Sequence, residues 1–310
     1  FYYLIRHKGK IMKIGIIDFD TSHVIAFTQR LNHIDVDQEQ WVHGGTITVG
    51  CPGESQLSPE RIPGFTKQMT QYGISLTDKP EDMIGQVDAI MVESVDGSVH
   101  LSRAQPFIEA GLPTYIDKPF ACSLSDGQQL ADLSTVNQVP IFSSSSLRYA
   151  PEVVSALQQA DQIGDFIGVS VSTPASRHPR NPGLFHYGIH GVEMLYTLMG
   201  TGCRTVWSVS NEDVDLVTGL WQDGRVGTVR GIRRGKSDFG FTIYGQKQVL
   251  RSTVSTTFIY RELLKQIVEM FTTGQPPLPI TETLEIIAFI EAANTSARSG
   301  GTSISLAKIN

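Results

Sequence analysis

Between Lys13 and Phe142 the chain alternates short apolar runs with segments whose apolar residues recur at helical intervals. This rhythm constrains the fold more than any other feature of the sequence. "KIGIID", "GTITVGC", "VDAIMVES", "PTYID" and "VPIFSSS" have the β-branched density of buried strands, whereas "SHVIAFTQRLNHI", "SVHLSRAQPFIEAG" and "LSDGQQLADLSTV" are spaced for helices. Only from Pro52 to Gly64, rich in Pro, Gly and Ser, does the pattern lapse into a loop. Parallel strands need long crossovers, so strand followed by helix, repeated, predicts a parallel sheet with helices on both faces.

After about Tyr149 the rhythm changes. "FIGVSVST", "TVWSVS", "LVTGLWQ", "RVGTVRGIR", "DFGFTIYG" and "KQVLRSTVS" succeed one another with little helix between them, and Asp223-Gly224 marks a tight turn. The prediction is an α/β chain whose second half is an α+β domain with a largely antiparallel open sheet. At 310 residues the chain has room for two medium domains, and we place them at 12–148 and 149–310, with 1–11 as an N-terminal extension set aside from the fold.

A net charge of -6 gives no general attraction to nucleic acid or anionic lipid, so the expected partners are a small molecule and copies of the chain itself. Cys51, Cys122 and Cys203 are too few and too scattered for a disulfide framework or a zinc ribbon, which favours a cytoplasmic setting. No apolar run approaches the ~18 residues of a membrane helix.

Three stretches could carry chemistry. In "PTYIDKPF" a strand delivers Asp117-Lys118-Pro119 at its carboxyl end, where ligands of open parallel sheets bind. Lys118 there can hold a substrate hydroxyl or move a proton, with Asp117 to orient it; the bland alternative is a surface lysine in a loop. In "HYGIHGVE", His186, His190 and Glu193 fall at i, i+4 and i+7, one face if the segment is helical. Histidine is the side chain whose unperturbed pKa lies nearest neutrality, so His190 suits proton transfer, the alternative being a helix with satisfied polar contacts. Tyr187 stands where a zinc-protease helix needs Glu, and we assign no metal. In "KIGIIDFDTSH" a strand runs into a turn and a helix, as a dinucleotide-binding domain begins. Yet the three glycine places of that fingerprint hold Asp18, Asp20 and His23. An aspartate about 4 Å from a phosphate costs roughly 1 to 4 kcal/mol, according to the local dielectric.

Taken in order along nearly the whole chain, these stretches resemble the Gfo/Idh/MocA oxidoreductases. Asp117-Lys118-Pro119 matches the family's Glu-Lys-Pro turn, "HYGIHGVE" its Asp-x-Gly-x-His-x-x-Asp motif with His186 and Glu193 in place of the aspartates, and Arg148-Tyr149 its Arg-aromatic link. "VESVDGSVH" stands in for its Thr-Pro-x-x-x-His loop. The resemblance implies a Rossmann-like first domain and hydride transfer between NAD or NADP and a hydroxyl carbon of a sugar, polyol or related molecule. It implies Lys118, His190 and His186 as catalytic residues. Phe19, Asp20, Thr21, Ser22, Ser94, Val95, His100, Asp117 and Lys118 would line the cofactor, while Lys118, Arg148, Tyr149, His186 and His190 would meet the substrate. It also implies a homodimer or homotetramer built through the C-terminal sheet. The alternative is a non-catalytic or cofactor-altered relative that binds a small metabolite in the interdomain cleft, its phosphate site closed by the acidic turn.

Overall fold

The computed structural model describes residues 11–309 and divides into two compact units. All but the last residue of the expected N-terminal extension lies outside the described residues. The first unit comprises 11–121, 125–143 and 260–280. Its six strands are β1 (Met12–Ile17), β2 (Gly45–Cys51), β3 (Ser75–Leu76), β4 (Ala89–Val92), β5 (Thr114–Ile116) and β6 (Ile141–Phe142). They form one parallel sheet in the order β3-β2-β1-β4-β5-β6. This is the doubly wound order, and its switch point lies between β1 and β4. Burial explains the strand sequences: Ile14, Ile16 and Ile17 of β1 and all four residues of β4 are buried, as expected where helices cover both faces.

The helices of this unit are α1 (His23–Asn32), α2 (Ile62–Gln71), α3 (His100–Glu109) and α4 (Leu124–Asn137). The Pro63-Gly64 pair suggested loop at 62–64, but Pro63 occupies the first turn of α2, where its missing N–H costs nothing. A single cut after residue 148 also misses a return of the chain: most of a later helix, α8 (Ile259–Thr273), belongs to this unit. Its Leu263, Leu264, Ile267 and Phe271 are buried, and Val268 lies so near Gly44 that a Cβ there would come within 2.9 Å of it.

The second unit, 122–124, 144–259 and 281–309, is built on β7 (Phe166–Pro174), β8 (Cys203–Ser210), β9 (Val214–Trp221), β10 (Val226–Ile232), β11 (Gly240–Gly245), β12 (Val249–Thr253) and β13 (Ile304–Ser305). The order is β12-β11-β7-β10-β9-β8-β13, antiparallel except for β7 against β10. Besides the short α5 (Pro151–Gln158) and α6 (Ala160–Ile163), it holds α7 (Ile189–Met199) and α9 (Ile280–Arg298). Ten of the eleven residues of α7 are buried, and Gly191 lets it approach β7 so closely that a Cβ would meet Thr173 Cγ2 at 2.5 Å.

Candidate functional site

The turn after β1 keeps the backbone of a glycine turn without the glycine. Asp18 has φ 64°, a left-handed conformation that Asp tolerates better than most residues. Its carboxylate turns inward: Ser94 Oγ donates to it, and Arg103 Nε forms an ion pair at 3.1 Å. Asp20 is likewise inward, accepting from Val95 N at 3.0 Å and Ser55 Oγ at 2.6 Å. Burial raises both carboxyls above their ordinary values, a shift that Arg103 and Ser94 at Asp18, and Ser55 and Val95 at Asp20, only partly offset.

Thus Ser94 and Val95, expected to face a cofactor, hold the chain's own carboxylates. Phe19, also expected there, is fully buried, its ring against Gly50, where a Cβ would fall 2.5 Å from Cζ. His100 is fully buried too, its ring nitrogens 2.8 Å from the carbonyl oxygens of Pro119 and Ser94, so it fastens the β4 exit to the lysine turn. Thr21 Oγ1 accepts from His23 N, while Ser22 stays exposed at the N-terminus of α1. That first turn carries no acidic side chain, so its amides and dipole still favour an anion. For a dinucleotide the turn therefore fits at Thr21, Ser22 and the start of α1, and offers less at Ser94 and Val95.

At the carboxyl ends of β4 and β5 lies a cluster of charged groups. Asp117 is fully buried, and its Oδ2 is 2.8 Å from His23 Nδ1 and 3.6 Å from Lys118 Nζ. Tyr115 donates to its Oδ1 at 3.3 Å. Burial opposes ionisation of Asp117, but His23 and the Lys118 ammonium outweigh it and hold the carboxyl well below the usual range. Glu93, the residue after β4, is pushed the other way: complete burial raises it well above the usual range, and the Asp117 charge adds to the shift. Lys118 is 8% exposed, so it is no ordinary surface lysine.

In the second unit the His186 spacing argument fails, because α7 starts at Ile189 and His186 lies three residues before it, following the short turn Gly183–Phe185. His190 and Glu193 do share the helix. His190 Nδ1 is 2.7 Å from Ser145 Oγ, and its ring meets Tyr187 and Phe239 edge-on. Arg148, expected at the substrate, bridges Glu193 Oε2 at 2.9 Å and Glu282 Oε1 at 2.6 Å. Burial works against its charge, and the two carboxylates more than compensate, raising it further. Beside it Tyr149 is also raised, chiefly by burial. Of the loop arginines ahead of α7, Arg177 is paired with Asp215.

The architecture can be set against known proteins. No protein-family model matches the sequence, and no curated protein does. Solved structures do: GenD2 from gentamicin A biosynthesis in complex with NAD aligns over 97% of this chain and 98% of its own, with a TM-score of 0.81 at 16% identity. Scyllo-inositol dehydrogenase from Lactobacillus casei with bound NAD(H) and scyllo-inositol aligns over 96% and 99%, with 0.79 at 13%. A putative myo-inositol dehydrogenase from Sinorhizobium meliloti 1021 aligns over 96% and 100%, with 0.77 at 15%.

The chain shares the fold of these three proteins. Both units take part, since the alignments span almost the whole chain. Four supporting residues carried no sequence signal: in the first unit Arg103 and Ser55, which hold the turn aspartates, and in the second Ser145 on His190 and Glu282 on Arg148. Each acts through a contact between residues 35 or more positions apart. His23 was legible only as a missing glycine, not as the partner of Asp117.

Proposed function

We propose that the chain is a nicotinamide-dependent oxidoreductase acting on a hydroxyl carbon of a polyol or sugar-like substrate. The observation that carries this reading is Lys118, almost buried beside an ionised Asp117 at the carboxyl end of β5, in a fold shared with inositol dehydrogenases solved with NAD(H). Bound at the N-terminus of α1, a nicotinamide dinucleotide would supply the hydride acceptor or donor. The protein's own part is proton handling and orientation. Lys118 Nζ holds the reacting oxygen and steadies its developing negative charge, while Asp117 fixes the ammonium. His190 is the second proton carrier, its ring set by the Nδ1 contact with Ser145 so that Nε2 is the working atom. Arg148 and Tyr149 act at one remove, by holding the frame of α7.

Self-association is part of the same proposal. Ladder register puts Trp207, Val209, Leu216, Val226 and Tyr244, all more than a third exposed, on one face of the second unit's sheet, and a second copy of the chain is the partner proposed for it.

A second reading has its own observation. Because the aspartates engage Ser94 and Val95, a cofactor-altered relative that binds a small metabolite would also keep this turn. Titration with NADH and NADPH, followed by nicotinamide fluorescence and calorimetry, separates the two. Saturable binding of either supports the oxidoreductase, and no binding at millimolar concentration leaves only the second reading.

A further inference from the structure

Glu93 is an anomaly. Its carboxyl group is completely buried, yet neither oxygen has a hydrogen-bond partner. Buried polar groups are nearly always satisfied, and an unmet one calls for an unseen ion, water or ligand. Its surroundings indicate which. Glu93 Oε2 is 3.9 Å from His23 Nδ1, and Asp117 Oδ2 lies 2.8 Å from that same nitrogen. One ligand atom from each of the three residues falls within 4.8 Å of the others. Around an ion with bonds of about 2.0–2.2 Å, tetrahedral neighbours sit ~3.4 Å apart, between the shortest and longest of these separations.

We propose that His23, Glu93 and Asp117 bind a divalent first-row metal ion, zinc or manganese by donor type. One imidazole and two carboxylates suit either metal and leave a fourth position open. The ligands come from three elements, the start of α1 and the exits of β4 and β5, so the fold brings them together from positions far apart in sequence. Their supports are in place. The His23 ring stacks on Phe27 at 4.8 Å and meets the edge of Tyr260 at 5.0 Å, which holds Nδ1 toward the acids. Tyr115 fixes the other Asp117 oxygen. Two carboxylates balance the ion's charge. Lys118, 3.6 Å from Asp117, is the competing cation, so the metal and the ammonium oppose each other. A bound ion would offer a Lewis acid at the open position beside Lys118. The site lies wholly in the first unit and stands whether or not a nicotinamide binds.

The test uses the full chain, stripped with a chelator and dialysed, then titrated with zinc, manganese and cobalt chlorides by calorimetry, with the cobalt visible spectrum as a second readout. One ion per chain is expected. Glu93→Gln keeps shape and removes a ligand charge, and should weaken binding about 100-fold or more, as should His23→Ala. Lys118→Met should tighten it. Circular dichroism checks that each variant is folded, and Asp18→Asn, outside the cluster, should bind as wild type does. No binding of any of the three ions at millimolar concentration, or equal affinity in folded Glu93→Gln, overturns the proposal. Neither result bears on NADH binding, which is measured separately on the stripped protein.

Discussion

Neutralising Asp20 isolates the electrostatic cost of the acidic turn. In Asp20→Asn the amide oxygen still accepts from Val95 N while the charge goes, and Ser55 Oγ, which already accepts from Leu57 N and Ser58 N, loses its acceptor. Asp20 is 2% exposed, at the entry to the helix whose N-terminus would take the phosphates. A phosphate charge ~5 Å away would feel about 1 kcal/mol of repulsion in water and about 3 kcal/mol at an effective dielectric of 20. The variant should therefore bind NAD about 5- to 150-fold more tightly at pH 8, nearer the upper figure because the carboxylate is buried. The acid is raised above its ordinary value, so it gains its proton as pH falls through that raised value. Wild-type affinity should then climb toward that of the variant, while the variant's stays flat. Calorimetric titrations from pH 8 down through that raised value read both effects. Equal affinities at pH 8, or a ratio that does not shrink on acidification, would refute the placement of phosphate beside this carboxylate.

Removing Arg148 leaves Glu193 and Glu282 facing each other without their shared cation, so Arg148→Met should cost about 3–5 kcal/mol in denaturant unfolding. Adding Glu193→Gln should restore part of this, and a loss under 1 kcal/mol would mean that the bridge contributes little. Gly53 sits at φ 64°, and a Cβ there would lie 2.0 Å from Asp18 Oδ1. Gly53→Ala should destabilise by at least about 1–2 kcal/mol, less so in an Asp18→Ala background, as read from thermal melts of the four proteins. Lys118→Ala should abolish turnover of any polyol the wild type oxidises while NADH still binds, and retained turnover would remove Lys118 from the chemistry.

What the sequence disclosed is what local pattern controls. The parallel sheet was readable because β1 and β4 are apolar on both faces, and the second sheet because its strands alternate with period two. Lys118 was readable because a strand end fixes where the next residues point. The failures share one cause. His186 misses the helix because the turn at Gly183, with φ 60°, delays its start, and Gly183 has no room for a side chain beside Asn294. Most of α8 returns to the first unit after the long stretch 144–259, and Arg103 finds Asp18 across 85. Such pairings depend on the finished fold, not on spacing.

The acidic turn shows how those two kinds of information combine. Read locally, Asp18 and Asp20 spoil a phosphate site, since two charges stand where glycines should. In the folded chain Asp18 keeps the left-handed backbone of a glycine, and both carboxylates are turned toward Ser94, Val95, Ser55 and Arg103. The turn is therefore braced by the chain's own polar groups. The same substitution pattern puts His23 where a third glycine would leave space, and its imidazole fills that space by reaching Asp117 and, within 3.9 Å, Glu93. The acidic turn and the buried histidine–carboxylate cluster thus lie together at one switch point. Asp20 and Glu93 are therefore the positions where the proposed phosphate and metal sites are most directly probed.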